Sequence, residues 1–343
     1  MKDTGTRRLV PPVDRALLLA ALAALLAALV MELDRPALAA EAMQFFRPFA
    51  GLGALALLVL VFLRWGTFRA GASSSPRELR TAIAATLLAV ALTVRPLLVP
   101  DWPEARDDKG GEVTIRLVSA NLLSVNRDTS GLLALLADTN PDILAVQEAP
   151  FWWRDLMLDL PGYPHVVGYA PDGSGTVAIA SRWPLEAIVI PSPGVAHREV
   201  GGGEPAAARL VMPDGRAIDV VSLHAPTPRL PGGLEARTRY LETLSEFLRV
   251  RRRANVPLIV VGDWNTPVWS RDLARVLRSN GLGVCPLGGL PPPTRLVGGS
   301  RRLGSPIDHI AVSPELGVVR CDLGADIASD HLPLMVELSL QTP

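Results

Sequence analysis

Carboxylate, amide and imidazole side chains recur through the second two-thirds of this 343-residue chain. The candidates for chemistry are Asn121, Glu148, His224, Asp263, Asn265, Asp308, Asp330 and His331. Carboxylates and amides without thiolates are hard oxygen ligands, which suit Mg²⁺ or Mn²⁺ better than zinc. Such an ion neutralises phosphate oxygens and supports displacement at phosphorus. The residue types therefore indicate metal-assisted chemistry on a phosphoryl group.

The spacing of these residues adds detail to that prediction. Asp263 and Asn265 lie two residues apart, which places both side chains on one side of an extended chain. An amide can donate hydrogen bonds to charge that develops in the transition state. A histidine that a carboxylate orients can act as a base or as an electrostatic clamp. Each motif alone is weak, since Glu148 would pass for a surface acid and Asp263-Trp264-Asn265 for a turn. The prediction rests on their combination.

The polar candidates lie at the ends of predicted strands. Apolar and β-branched runs predict strands over 113–120, 142–146, 176–180, 187–190, 207–212, 217–223, 257–261, 307–312 and 332–340. Helices are predicted near 128–138 and over 234–253. Strands near both ends with helices between them favour mixed sheets covered by helices, an α/β sandwich. Strand ends are rigid platforms with loops open to substrate beyond them, so we expect the candidates to converge there.

Charge and cysteine content exclude some classes of protein. From residue 112 to the end, 21 arginines stand against 24 acidic residues, a net charge of −3 with histidine neutral. Proteins that grip long nucleic acids present a basic surface, so tight duplex binding is not expected. Cys285 and Cys321 are too few for a disulfide framework or a cysteine zinc site. One bridge in an oxidising compartment and two partly buried thiols both remain open.

The first hundred residues contain three apolar runs, 16–31, 48–63 and 81–94. A membrane span needs about 20 residues, which the first two runs reach with their flanks and the third by continuing through Arg95. The runs have no polar face, which argues against a soluble helical hairpin. A cleaved signal peptide ending near Ala39 is disfavoured, because charged residues separate that site from the first run and two more runs follow. We therefore predict three transmembrane helices.

Basic residues precede the first run and separate the second from the third. Positively charged loops stay in the cytoplasm, so the segment after Val99 is expected outside. Residues 100–111 combine proline, glycine and charge, which is typical of an exposed hinge. The sequence thus predicts a membrane anchor over 1–99, a linker over 100–111 and an extracytoplasmic catalytic domain over 112–343, in a multi-pass protein of the cytoplasmic membrane.

From about residue 113 to 340 the chain resembles the endonuclease/exonuclease/phosphatase superfamily, which has the DNase I-like fold. The resemblance rests on ordered blocks: SANLL, DILAVQE, GTVAIASRWPL, VSLHAPTP, VVGDWNTP, SPIDHIAVS and SDHLPLMVEL. It implies a four-layer sandwich of two mixed β-sheets flanked by helices. It also implies a Mg²⁺- or Mn²⁺-dependent phosphoric ester hydrolase, which is a phosphodiesterase, a phosphatase or a nuclease.

The resemblance assigns roles residue by residue. Glu148 would bind the metal, with Asn121 and Asp330 nearby, and Asn121 would also contact substrate. Asp263 would orient or deprotonate the attacking water.

The phosphate contacts follow from the same resemblance. Asn265 would hold a non-bridging phosphate oxygen, and His331 would contact the phosphate as general base or charged clamp while Asp308 fixes its ring. His224 would assist the leaving group. Arg182 recurs in relatives, either in a structural ion pair or against the phosphate, and both roles stay open here.

One block departs from the family pattern. Many relatives carry Thr-Trp-Pro where this chain has Pro293-Thr294-Arg295, so the substrate-facing wall is expected to differ. His309 points away from Asp308 in an extended segment and is predicted to be structural, and Trp152-Trp153 are predicted to pack as part of a helix.

The predicted membrane anchor and the slight excess of acidic residues in the catalytic region together favour substrates in the bilayer or the envelope. We expect hydrolysis of phosphate ester or pyrophosphate bonds at the outer face of the membrane. Membrane-anchored relatives associated with glycopeptide resistance have a similar layout, which points to phosphorylated, lipid-linked substrates. An extracytoplasmic DNA or RNA nuclease is the alternative. A non-catalytic scaffold is disfavoured because the sequence keeps every type of side chain that the family uses to bind metal and substrate. The oligomeric state stays open.

Overall fold

The computed structural model describes residues 11–32, 38–70, 75–169, 175–192, 194 and 196–340. The chain forms two compact units, residues 1–99 and 100–343. The first consists of helices α1 (Pro12–Met31), α2 (Leu38–Phe45), α3 (Arg47–Arg69) and α4 (Pro76–Leu98).

Helices α1, α3 and α4 are long and apolar enough to cross a membrane, with mean hydropathies of 2.2, 2.0 and 1.8. Each has a proline in its first turn, where the fixed φ of proline suits a helix start. The helices therefore begin before the predicted apolar runs, and α4 continues past Arg95 to Leu98. The short helix α2 was not predicted.

Charged residues at the ends of these helices pair with each other. Asp14 in α1 binds Arg64 in α3 with 2.8 Å between Oδ1 and Nε. Arg47 at the start of α3 binds Glu32, just after α1, with 2.7 Å between Nη2 and Oε1. Pairing of this kind lowers the free-energy cost of placing charges at the margins of an apolar bundle.

The second unit alternates strands and short helices. Its elements are β1 (Ile115–Asn121), α5 (Ser130–Thr139), β2 (Ile143–Gln147), α6 (Phe151–Leu158), β3 (His165–Val167), β4 (Ala178–Ser181), β5 (Leu185–Ala187), α7 (Ala196–Glu199), β6 (Gly203–Val211), β7 (Ala217–His224), α8 (Gly233–Arg252), β8 (Leu258–Asp263), α9 (Arg271–Asn280), β9 (Gly283–Val284), β10 (Arg295–Val297), β11 (Ser300–Ser305), β12 (Asp308–Val312), β13 (Leu316–Leu323) and β14 (Leu334–Leu340). One six-stranded sheet has the order β13-β14-β1-β2-β4-β3, and the other has the order β5-β6-β7-β8-β12-β9. Strands β10 and β11 form a separate hairpin.

The main core lies between the two sheets. Ile143 and Ile179 of the first sheet belong to one buried cluster with Val220, Ile259 and Ile310 of the second. Alternation along each strand turns every second side chain to this core, so each sheet needs a second cover on its outer face.

Helices supply that second cover. Leu132 of α5 and Trp153 of α6 pack with Leu144 and Val146 on the outer face of the first sheet. The Tyr240 hydroxyl of α8 donates to the Gly203 carbonyl of β6, 3.1 Å away, on the second sheet. Two mixed sheets flanked by helices confirm the predicted fold class, and Trp153 packs as predicted.

Residues 100–111 are not an exposed hinge, so this prediction is wrong. The Val284 amide donates to Pro103 O (2.9 Å), and the Ala105 amide donates to Val284 O (2.8 Å). Farther along, the Asp108 amide donates to Val318 O (2.8 Å). The segment thus binds the outer strands β9 and β13, whose free backbone groups need partners. Composition alone does not reveal such pairing.

A disulfide joins Cys285, directly after β9, to Cys321 in β13. The two strands lie at the edges of different sheets, so the bond ties the sheets together. Of the two states left open by the sequence, the bridge is the one that forms.

Replacing both cysteines, Cys285→Ser with Cys321→Ser, should lower the free energy of unfolding by about 4 kcal/mol. The estimate follows from the loop-closure entropy of a bridge spanning 36 residues. Urea unfolding of the full-length protein in detergent, followed by circular dichroism, measures the loss. Wild-type protein treated with a reductant is the control and should unfold at the same urea concentration as the double variant. Equal stability of the double variant and the oxidised wild type would contradict the prediction.

Candidate active site

Strand register brings the predicted polar residues to one region of the second unit. Parallel β7 and β8 place His224 opposite Asp263, and antiparallel β12 places Asp308 opposite Asp263 as well. In the other sheet, β1 ends in Asn121 beside β2, which leads directly into Glu148. The Asn121 amide donates to Asp263 Oδ2 at 3.2 Å, so the two sheets meet at this point.

Glu148 has a left-handed backbone, with φ of 51°, which is uncommon for a residue other than glycine. Its Oε1 accepts a hydrogen bond from Asn121 Nδ2 at 3.1 Å, and its Oε2 accepts one from the Ser124 amide at 3.0 Å. Burial acts to raise the pKa of Glu148, but His224, with Nε2 3.6 Å from Oε1, and these hydrogen bonds outweigh burial and lower it. The result is an ionised carboxylate held in one place.

Asp263 is buried where the sheets meet. Its Oδ1 accepts from the Asn265 amide at 2.8 Å, and its Oδ2 lies 3.6 Å from His224 Nε2. Burial and then the neighbouring Asp308 carboxylate raise the pKa of Asp263 to about 6. A raised pKa makes this carboxylate a better proton acceptor near neutral pH.

Asn265 also has a left-handed backbone, with φ of 47°. Its side-chain nitrogen donates to Ala225 O at 2.9 Å and to Asp263 Oδ2 at 3.2 Å. Both amide hydrogens are therefore engaged by protein acceptors, and contact with a phosphate oxygen requires release of one of them. In this conformation Asn265 positions Asp263.

His331 and Asp308 form the predicted pair. His331 Nδ1 lies 3.0 and 2.9 Å from the two carboxylate oxygens of Asp308. Thr294 fixes that carboxylate from the other side, because its hydroxyl donates to Asp308 Oδ2 at 2.6 Å. Burial acts to lower the pKa of His331, but Asp308 and Asp263 outweigh it and raise the pKa to about 9. His331 is thus a cation at neutral pH, which favours the charged clamp over the general base.

The ligand atoms of Glu148, His224 and Asp263 lie within 4.8 Å of one another, a spacing that could hold a metal ion. Asp263, Asp308 and His331 form a second group of this spacing, but the Asp308 oxygens are already held by Thr294 and His331. Glu148 is the most exposed of these carboxylates and faces a cavity. The first group therefore fits a divalent cation better, and its oxygen donors suit Mg²⁺ or Mn²⁺.

Two predicted site residues lie apart from this group. Asp330 lines the same cavity, but its carboxylate binds Arg295 at 3.0 Å and belongs to neither metal-spaced group of the described residues. Arg182 lies at the opposite end of the sheet, where its guanidinium binds Asn140 and stacks 5.5 Å from the Tyr163 ring centre. Because β4 runs antiparallel to β2, a residue that follows β4 lies far from Glu148. Of the two roles left open for Arg182, only the structural one fits.

His309 has the structural role predicted for it. Its Nε2 lies 2.8 Å from Thr266 O, and its carbonyl accepts from Trp264 Nε1 at 3.2 Å. Burial lowers the pKa of His309 to about 4, so the ring is neutral and its Nε2–H donates to the Thr266 carbonyl. These contacts fix the loop that carries Asn265.

A cavity of about 360 Å³ opens over Glu148, Asp263 and His331. Its wall also contains residues that sequence reasoning did not assign to the site, namely Leu123, Ser124, Thr176, Gly201, Gly202, Thr227, Arg229 and Arg295. Arg295 lies in the block that departs from the family pattern. That departure was the one feature of the sequence that could have indicated a role for Arg295 in the cavity wall. Arg229 follows the block VSLHAPTP directly, and no spacing rule identified it.

Comparisons with known proteins agree with this fold. The Endonuclease/Exonuclease/phosphatase family profile matches residues 118–331, whereas none of the curated proteins matches the chain. The human Nocturnin catalytic domain, solved with a bound sulfate anion, is 20% identical, with a TM-score of 0.52 over 68% of this chain and 96% of its own. An endonuclease/exonuclease/phosphatase family protein from Bacteroides thetaiotaomicron is 19% identical, with a TM-score of 0.53 over 68% of this chain and 100% of its own.

A mannosyl-6-phosphatase from the same bacterium is also 19% identical, with a TM-score of 0.50 over 66% of this chain and 100% of its own. At these identities the structural likeness concerns the fold. The family profile covers more than half of the chain and includes every residue of the site from Asn121 to His331. The chain therefore belongs to the endonuclease/exonuclease/phosphatase family, whose members are hydrolases that act on phosphate esters.

Proposed function

We propose that this protein hydrolyses phosphate ester or pyrophosphate bonds at the outer face of the cytoplasmic membrane, on lipid-linked or envelope substrates, with Mg²⁺ or Mn²⁺. The observation that carries the proposal is the meeting of Glu148, His224 and Asp263 within 4.8 Å, beside the Asp308–His331 pair and under an open cavity. Family membership supplies the reaction class.

Different residues of the site have different roles in the proposed reaction. Glu148 and Asp263, with His224 beside them, would hold the divalent ion, and Asn121 braces both carboxylates. When bound, the ion would neutralise phosphate oxygens. Asp263 orients the attacking water and accepts a proton from it.

The positive charge of His331 stabilises the negative charge that develops on the phosphoryl oxygens. Asp308 and Thr294 keep its ring in place. His224, buried beside Glu148 and Asp263, is the group that we assign to the leaving oxygen.

Three observations support the location outside the membrane. The described residues include three helices able to span a bilayer. Basic residues at the N-terminus and between the second and third of these helices favour a cytoplasmic position for both segments. The Cys285–Cys321 disulfide suits an oxidising compartment.

A substrate screen tests the proposal. The full-length protein in detergent is offered phosphorylated lipids in mixed micelles, nucleotides and plasmid DNA, each with Mn²⁺ and with EDTA. We expect phosphate release from lipid substrates, its loss with EDTA and its return when Mn²⁺ is restored. Nicking of plasmid DNA without lipid turnover would instead favour the extracytoplasmic nuclease, and turnover that survives chelation would refute the metal requirement.

The proposed orientation needs its own measurement. A reporter that is active only in the cytoplasm, fused to the C-terminus of the intact chain, should be silent. Strong reporter activity would overturn the outside location and leave the hydrolase assignment in place.

A further inference from the structure

Two arginines in the cavity wall have no part in the chemistry described so far. Arg229 lies in the loop between β7 and α8, five residues after His224, and Arg295 begins β10. Both line the cavity that contains Glu148 and His331. Cationic side chains in such a wall attract anionic parts of a substrate.

Arg295 is fixed and partly neutralised. Its Nη2 binds Asp330 Oδ2 at 3.0 Å, and its backbone bridges to His331. The guanidinium is therefore held beside the clamp histidine in a set position. Its remaining N–H groups are available to a second anion, because a planar guanidinium has five donors.

Arg229 is held differently. Its Nε donates to Thr227 Oγ1 at 3.0 Å, which orients the guanidinium, and among the described residues neither Nη group has a hydrogen-bond acceptor. In the described part of the chain no carboxylate lies within ion-pair distance of Arg229. An arginine that lines an active-site cavity without a carboxylate at ion-pair distance is able to bind an anionic group of a ligand.

The two arginines also repel each other. Burial lowers the pKa of Arg229, and the positive charge of Arg295 is the next largest cause, while the more weakly acting carboxylates of Asp263, Asp330 and Glu148 raise it. An arginine nevertheless remains protonated at neutral pH. Holding like charges near one another in a partly buried wall costs free energy. An anionic group bound in the wall beside both arginines would lower that cost.

We propose that Arg229, together with Arg295, binds a second anionic group that neighbours the reacting phosphate. The proposal rests on the proposed function and narrows its substrate class. Preferred substrates carry two adjacent anionic groups, as in a diphosphate ester, whereas a simple diester with one negative charge leaves Arg229 unused. Arg229 is then a specificity-determining residue, because the reacting phosphate is served by Glu148, Asp263 and His331.

The kinetic test compares two synthetic esters that release the same leaving group, p-nitrophenolate, when water attacks the phosphorus that carries it and the bond from phosphorus to the aryl oxygen breaks. Methyl p-nitrophenyl phosphate has one anionic group, and methyl p-nitrophenyl diphosphate has two. With full-length protein and Mn²⁺, Arg229→Gln should lower kcat/KM for the diphosphate about 30- to 100-fold and for the monophosphate less than about 3-fold, the effect of losing a charge-assisted contact. Arg229→Lys keeps the positive charge but loses the planar pair of N–H donors. Its kcat/KM for the diphosphate should therefore lie between the values for wild type and Arg229→Gln.

Arg239→Gln is the matched control, because Arg239 is exposed on α8 and does not line the cavity. It should change neither rate. Equal losses on both esters with Arg229→Gln would overturn the proposal and assign Arg229 to the reacting phosphate itself. Unchanged rates on both esters would overturn it too.

A binding measurement separates this proposal from the proposed function. Calorimetry without divalent ions compares methylenediphosphonate with methylphosphonate, neither of which requires turnover. We expect wild type to bind the diphosphonate at least about tenfold more tightly, a charge-assisted gain, and Arg229→Gln to erase that preference. Absence of a preference in the wild type sinks the second-anion proposal whether or not the protein hydrolyses either ester. A clear preference in a protein without turnover would instead count against the hydrolase.

Discussion

The Asp263→Asn variant should retain no more than about one thousandth of wild-type kcat, because it loses a general base and an anionic ligand in one change. Asparagine has nearly the same shape, so the hydrogen bond from the Asn265 amide can persist while the charge and the proton acceptor disappear. Turnover of a soluble p-nitrophenyl ester and of the lipid substrate found in the screen, both with saturating Mn²⁺, measures the loss.

Asp219→Asn is the matched control for that variant. Asp219 is also a buried carboxylate, and it lies in β7 on the same sheet, but its partners are Arg209 and Arg251 and it is outside the cavity. This control should lose stability and keep kcat within about threefold at a temperature where it is folded, as expected for a residue remote from the chemistry. If Asp263→Asn kept a tenth of wild-type turnover while folded, Asp263 would not be the proton acceptor.

The second large effect concerns the metal. Glu148→Gln should weaken Mn²⁺ binding at least about a hundredfold, since even residues that only support a ligand are worth 10- to 100-fold. Glutamine keeps a carbonyl oxygen but lacks the charge that the ion balances. Titration of metal-free full-length protein with Mn²⁺, followed by the electron paramagnetic resonance of the free ion, gives the affinity directly, and turnover should recover in part at high Mn²⁺.

Glu337→Gln provides the comparison for Glu148→Gln, because Glu337 pairs with Arg116 and does not line the cavity. Its Mn²⁺ affinity should equal that of wild type. Wild-type affinity in Glu148→Gln would show that the ion, if one binds, sits elsewhere.

Much of the site was readable from the sequence because its residues lie at or next to the ends of buried strands. Leu117–Val118, Leu144–Val146 and Leu258–Val261 are continuous apolar runs, which are typical of strands buried between two layers. The polar residue at the end of such a strand then lies at the sheet margin. Asn121, Glu148, Asp263, Asp308 and His331 therefore converge as predicted, although their roles remain predictions.

The sequence could not predict the direction of individual strands or the backbone pairing at the edges of the sheets. Arg182 was a candidate because it lies within a block that recurs in relatives, but the antiparallel course of β4 carries it away from Glu148. Strand β9 has two residues, too few for any periodic pattern. Backbone pairing of the 100–111 segment with β9 and β13 uses main-chain groups that every residue has, so no side-chain signal announces it.

Arg229 and Arg295 show a further limit. Both belong to segments without a repeating apolar pattern, and their joint placement depends on the pairing of Arg295 with His331. Arg229 and Arg295 are 66 positions apart in the sequence, and only the folded chain brings both to one cavity wall. The local spacing of residues could not predict this.

The left-handed backbone at Glu148 and Asn265 sets a conflict between heat resistance and activity. That conformation costs a residue such as glutamate about 1–2 kcal/mol and asparagine less, and glycine at either position would adopt it freely. A glycine would also remove the carboxylate or the amide that the cavity uses. Directed evolution of this protein for thermal tolerance alone would therefore tend to gather glycines at these two places and yield robust, inert enzymes, so any such campaign needs turnover as a second criterion.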